Sequence, residues 1–248
     1  MRRPEPPAEQ DAEPAEAGEP DVAAWRRDGL RIVVPVGLAC MVWSHYYDAL
    51  RLPPRIPYGT FGLTLGGDVL PMLIVPLLVT GALLRWPLAR VGVAWPGLAR
   101  TLGHAGVAWL LVMPFVVVFA QRPEFQATYP SPAFPPARQH AVGLIALWLI
   151  HHAPQMLSLE FCVRGFLLQP IARAAGIGPA LLVTGAPYVW LHLAKPPLEL
   201  FQAGWAAVVF GVVAWRTRSF WPAFLAHWAV AVSMDFLALA FAGAFSAR

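Results

Sequence analysis

The sequence predicts an all-α fold: a polytopic transmembrane helical bundle of about seven spans. Three observations lead there. Apolar residues make up 58% of the 248 residues and the mean hydropathy is +0.55, values outside the range of soluble domains. Eleven tryptophans and 26 prolines fit the same class, because Trp gathers at membrane interfaces and Pro is tolerated within spans. Acids are scarce past the N-terminus. The first 28 residues hold eight of the fourteen, which leaves Asp48, Asp68, Glu124, Glu160, Glu199 and Asp235 for the rest of the chain.

Residues 1–24 are rich in Pro, Glu and Ala. They carry too little apolar surface to offset the entropy of ordering, so a disordered tail is expected there. Residues 25–248 are expected to form one multi-span membrane domain. Arg26, Arg27 and Arg31 flank a first span over 30–50, and a polar, Pro-rich loop (51–58) leads to a second span over 66–84. A basic connector over 85–104 precedes a third span over 105–120, followed by a long loop bearing Pro123, Pro130, Pro132, Pro135 and Pro136. A fourth segment over 141–172 contains Pro154, which removes a backbone donor and is expected to kink the helix. Gly176, Gly178 and Pro179 punctuate the chain before spans over 180–193, 198–215 and 221–241. At about 20 residues each, these suit a bilayer.

Several functions are disfavoured at once. The net charge is +4, but the Lys and Arg residues are scattered one to three per loop. That pattern suits loops facing anionic lipid and gives no continuous groove for nucleic acid. Cys40 and Cys162 both lie in apolar helical stretches, so neither a disulfide framework nor a Cys/His metal spacing is expected. The N-terminus lacks the apolar core of a signal peptide. Nine basic residues against six favour a cytoplasmic N-terminus.

Three polar pairs with helical spacing fall in the last hundred residues. Glu160 and Arg164 stand at i and i+4 and can pair on one face. His152 lies two turns before Glu160, with Met156 between. Tyr188 and His192 are also at i and i+4, and His227 and Asp235 at i and i+8 face broadly the same way. Ionisable groups at membrane depth are costly and are read first as functional. A glutamate and two histidines on separate helices can activate water, share its proton and stabilise an oxyanion. The structural alternatives stay open at this point: a buried ion pair tying helices together, and histidines that bridge helices through hydrogen bonds. Asp68 is assigned a structural part at a span end.

The motifs Leu-Glu-Phe-Cys-Val-Arg (159–164), Tyr-Val-Trp-Leu-His (188–192) and His-Trp-Ala-Val-Ala (227–231) carry a family resemblance. The chain resembles the CAAX-protease and bacteriocin-processing (CPBP) intramembrane endopeptidases, or type II CAAX prenyl proteases, whose motifs are EExxxR, FxxxH and HxxxN. The family-like core covers about 141–243. His192, Lys195, Pro196 and Glu199 match the pattern of a bacterial subgroup with a single Glu before its Phe-x-x-Arg-Gly.

The resemblance implies an intramembrane endopeptidase that hydrolyses a peptide bond of a membrane-associated substrate. Glu160, His192 and His227 are the expected catalytic residues, supported by Arg164, Tyr188 and Asp235. In this scheme Glu160 activates water with help from His192, His227 donates to the oxyanion, and Arg164 holds Glu160. No cofactor is expected; a metal-bound version would use Glu160, His192 and His227 as zinc ligands. The expected partners are membrane lipid and a peptide or protein substrate, and the expected location is a bacterial plasma membrane. The departures matter. The first Glu of the family's pair is Leu159, the Asn is Ala231, and Tyr188 replaces Phe. Either the site is rearranged around Glu160 with Asp235 compensating, or its chemistry is altered, or the chain is an inactive member that binds peptides, confers immunity or acts as a scaffold.

Overall fold

The computed structural model describes residues 29–49, 64–132, 134 and 136–245. The tail expected over 1–24 and the loop over 51–58 lie outside the described residues. Within them the fold is helical, with no strand.

Helix α1 starts as a wide π-helical turn, Gly29–Val33, and continues as Val34–Ala49. Helix α2 is Thr64–Leu83, α3 is Leu98–Phe119 and α5 is Ala141–Ala175, with the short helix α4, Pro123–Thr128, between α3 and α5. Helix α6 is Ile177–Trp190, α7 is Pro197–Thr217 and α8 is Trp221–Phe241. Five of these, α2, α3, α5, α7 and α8, are long and apolar enough to cross a membrane. The 14-residue α6 is apolar but shorter, and α1 precedes them. The expected seven segments therefore reappear as helices. The third begins earlier than expected, at Leu98, because Arg100 and His104 turn outward from a helix whose other face buries Thr101 and Ala105.

Large apolar side chains cover the outside: Leu78, Leu110, Val142, Leu182 and Phe201 are all more than 60% exposed. That is the expected face toward lipid, where burial brings no hydrophobic gain. Helix α7 runs through the interior. Over its apolar stretch 56% of residues are buried, against 28–33% for the other long helices. Small residues make this possible: Ala203, Ala206, Ala207, Gly211 and Ala214 let α6 and the end of α5 approach closely.

Pro154 does not end α5. The helix widens into π turns at Leu147–His152, just before the proline, and again at Phe161–Leu167. Such widening accommodates a missing donor and recurs at functional sites. The second wide segment is fully buried and carries Arg164 and Gly165. A Cβ on Gly165 would stand 2.6 Å from the Val91 carbonyl oxygen, so glycine permits the turn Leu88–Val91 to close against the helix. That turn is fastened on two further sides. Arg173 donates to the Arg90 carbonyl at 2.7 Å, and the Phe220 N–H donates to the Gly92 carbonyl at 3.1 Å.

The connector between α3 and α5 is ordered by one side chain. Arg138 donates through Nε to the Pro130 carbonyl at 2.8 Å and through Nη2 to the Ala127 carbonyl at 2.9 Å. It thereby satisfies carbonyls left over at the end of α4. Tyr129 then reaches Glu199, at the start of α7, with its hydroxyl 2.6 Å from Oε1. Burial and the facing carboxylate hold the Tyr129 phenol well above its ordinary value, so it remains a donor. Lys195 stands over the same ring, 5.3 Å from its centre. This tether joins the connector to the segment just after His192.

Candidate active site

Two buried carboxylates lie along the seam between α5 and α8, each matched with a histidine from the opposite helix. On α5, Glu160 has no exposed surface, and its Oε1 lies 2.7 Å from Nδ1 of His227 on α8. On α8, Asp235 is also fully buried, and its Oδ2 lies 2.9 Å from Nε2 of His152 on α5. The two pairs are eight residues apart on both helices, or about 12 Å at 1.5 Å per residue.

The first pair is the richer. Arg164 Nε stands 3.2 Å from Glu160 Oε2, as the i, i+4 spacing predicted, and both side chains are buried. The Arg164 guanidinium also lies over the Tyr188 ring, 4.2 Å from its centre, with Phe210 behind it at 5.9 Å. An aromatic face is a favourable setting for a desolvated cation. Glu160 Oε2 makes this ion pair but no hydrogen bond. The carboxylate is therefore held between one cation and one imidazole, with no water-facing surface.

The hydrogen-bond pattern fixes how the rings are used. A carboxylate accepts, so Nδ1–H of His227 donates to Glu160 and Nε2 carries the lone pair when the ring is neutral. The Tyr188 hydroxyl lies 3.4 Å from that Nε2. His192 donates through Nδ1 to the Tyr188 carbonyl at 2.8 Å, which leaves its own Nε2 uncommitted. The His192 ring lies against Tyr188, centroids 4.8 Å apart, and His227 lies on the same tyrosine at 5.9 Å. His192 is partly exposed whereas His227 is buried. The site is thus reached from the His192 side.

Glu160, Arg164, Tyr188, His192 and His227 are accordingly brought together. Asp235 is not among them. The i, i+8 spacing does aim it at α5, but two turns of rise carry it to His152 and to Trp148, whose indole donates to it at 3.0 Å. It cannot compensate at Glu160 by contact. His152 likewise serves Asp235 and not the Glu160 face, and it is buried. Leu159 packs within the main apolar core at 7% exposure. Asp68 accepts from Ser44 at 3.0 Å inside α2, a structural part between neighbouring helices. The three-ligand metal shell of Glu160, His192 and His227 is not assembled among the described residues.

Sequence spacing did not single out Phe210 and Trp148 as neighbours of the buried charges. No polar pattern marks Phe210, which packs from α7 against the His227 ring, centroids 5.4 Å apart. Trp148 falls four residues before His152, so the same helical step that linked Glu160 to Arg164 would have found it.

No curated protein and no solved structure matches the chain. Residues 141–233 match the family described as type II CAAX prenyl endopeptidase Rce1-like. The match runs from the start of α5 into α8 and encloses Glu160, Arg164, Tyr188, His192 and His227. Over 141–233, and so over all five clustered side chains, the chain is similar to the Rce1-like type II CAAX prenyl endopeptidase family.

Proposed function

We propose that the protein is an intramembrane endopeptidase in which a buried Glu160–His227 pair takes the proton from the attacking water. The observation that carries this reading is the 2.7 Å contact between Nδ1 and Oε1, made across two helices within the matched domain. Glu160 has no exposed surface, so it acts through the histidine. Its charge fixes the tautomer that leaves Nε2 as the acceptor and stabilises the imidazolium as the proton arrives. This is the logic of a carboxylate-backed catalytic histidine. It moves the proton-accepting atom from Glu160 itself, as the motif alone suggested, to Nε2 of its partner.

His192 takes the complementary part. With Nδ1 committed to the Tyr188 carbonyl, Nε2 is free to relay a proton to the leaving nitrogen from the partly exposed side of the site. Arg164 balances the Glu160 charge across a buried contact of 3.2 Å and holds the carboxylate in place. The transfers need no cofactor. The substrate is a peptide segment held at the membrane, and the protein sits in a bacterial plasma membrane with its N-terminus on the cytoplasmic side.

The test is cleavage of a farnesylated peptide ending in a CAAX sequence by purified protein in detergent. His227→Ala and His192→Ala are each expected to lower kcat by on the order of 10² to 10⁴, the usual worth of a general acid or base. His227→Ala combined with Glu160→Gln should cost little more than either change alone, because members of one catalytic unit fail together. Multiplying losses would assign the two residues independent structural parts. A wild-type protein that cleaves nothing would favour the peptide-binding or scaffolding reading.

A further inference from the structure

We infer that the Tyr188 hydroxyl is a catalytic residue, the hydrogen-bond donor to the oxyanion of the tetrahedral intermediate. The inference rests on the endopeptidase reading above and adds a part that reading leaves unfilled. When water adds to a peptide carbonyl, the former carbonyl oxygen becomes an anion and needs a preorganised donor. His227 cannot serve while its Nδ1–H is spent on Glu160 and its Nε2 is accepting the proton of water.

Three observations point to Tyr188. The first is position. Its oxygen is 3.4 Å from His227 Nε2, a spacing at which one tetrahedral carbon can present its attacking oxygen to Nε2 and its oxyanion to the hydroxyl. The second is the strength of the contact. At 3.4 Å it is at the outer limit of a hydrogen bond, while Glu160–His227 at 2.7 Å is short. The hydroxyl is therefore the loosely held partner. It turns to a substrate oxygen without breaking the pair that positions the base.

The third observation is rigidity and field. Tyr188 is 1% exposed. Its ring is held between the Arg164 guanidinium at 4.2 Å and the His192 ring at 4.8 Å. Donors fixed in a water-poor site pay no reorganisation when charge develops, and the nearby guanidinium adds positive potential on that side. Proton and charge balance are simple. The water proton goes to His227 Nε2, a C–O bond forms as the carbonyl π bond opens, and the negative charge on oxygen is met by O–H of Tyr188. The hydroxyl keeps its proton throughout.

The experiment is Tyr188→Phe, which removes one oxygen and keeps the ring that Arg164 and His192 pack against. Two measurements are made on the full-length protein in detergent: turnover of the farnesylated CAAX peptide, and affinity for a farnesylated peptide phosphonate, whose tetrahedral oxygens mimic the intermediate. Expected are a fall in kcat of about 10² to 10³, the worth of one oxyanion donor, an unchanged KM, and weaker phosphonate binding with unchanged binding of the intact peptide. An active wild type with Tyr188→Phe turning over within threefold of it would overturn the inference and leave the endopeptidase reading standing. If the wild type cleaves nothing, the endopeptidase reading falls. The phosphonate then decides the hydroxyl's part, and equal affinity for wild type and variant rejects it.

Discussion

Glu160→Gln should stop peptide cleavage while leaving a folded protein, with kcat lowered by about 10⁴, the loss seen when the carboxylate behind a catalytic histidine becomes an amide. The amide is nearly isosteric but differs in two ways that matter. It is neutral, so the imidazolium forming on His227 loses its counter-charge. Its nitrogen can also turn toward Nδ1, which forces the proton to Nε2 and blocks the atom that takes up the water proton. Folding should suffer less than activity. The cation left behind, Arg164, keeps the faces of Tyr188 and Phe210 at 4.2 and 5.9 Å, and Gln still offers a carbonyl oxygen. The check is the turnover of the farnesylated peptide beside a thermal unfolding curve in the same detergent. Turnover near the parental rate in a folded Glu160→Gln protein would remove Glu160 from the mechanism.

How much of this was legible in the sequence differs by the range over which each signal acts. The helices were, because a hydrophobic run of about 20 residues is a local quantity that the bilayer dimension sets directly. The Glu160–Arg164 pair was, because both residues share one helix, and the Tyr188–His192 ring contact for the same reason. What spacing could not give was which helix each pair faces. His227 and Asp235 were rightly placed on one face of α8. That face meets α5 along its length, and the two residues reach it two turns apart. His227 therefore finds Glu160 while Asp235 finds His152. The first wide π turn in α5 falls where Pro154 led the sequence to expect a distortion, but the second was hidden, because it answers to close packing at Gly165 and not to a periodic pattern.

The site's chemistry was legible as a set of residues and not as a set of roles. Motif order named Glu160, His192 and His227, and the resemblance supplied a glutamate base with a histidine oxyanion donor. The roles depend on which ring nitrogen meets which oxygen. That is decided by the approach of α5, α6 and α8, and no one-dimensional spacing records it. The tether from Tyr129 to Glu199 shows the same limit. Glu199 stood out in the subgroup pattern, but its contact with Tyr129 spans 70 positions.

Arg164→Ala should be the most destabilising single change at the site. Glu160 and Arg164 are buried to 0% and 1% exposure. Removing the cation leaves a carboxylate with only His227 to answer it, and breaking a buried pair from one side costs roughly 3 to 5 kcal/mol. The opposite truncation is milder because the arginine has aromatic faces in reserve and the carboxylate has none. The two changes should therefore combine in a telling way. Arg164→Ala joined to Glu160→Gln deletes both buried charges, so the double variant should be more stable than Arg164→Ala alone, although inactive. A double-mutant cycle on unfolding midpoints measures this coupling. Arg164→Lys should recover only part of the loss. A point charge on a flexible stem reproduces neither the planar stacking on Tyr188 nor the fixed Nε contact at 3.2 Å. A fully stable Arg164→Ala protein would mean that Glu160 carries no charge to be balanced. The carboxylate-backed histidine would then lose the counter-ion on which its part in proton transfer depends.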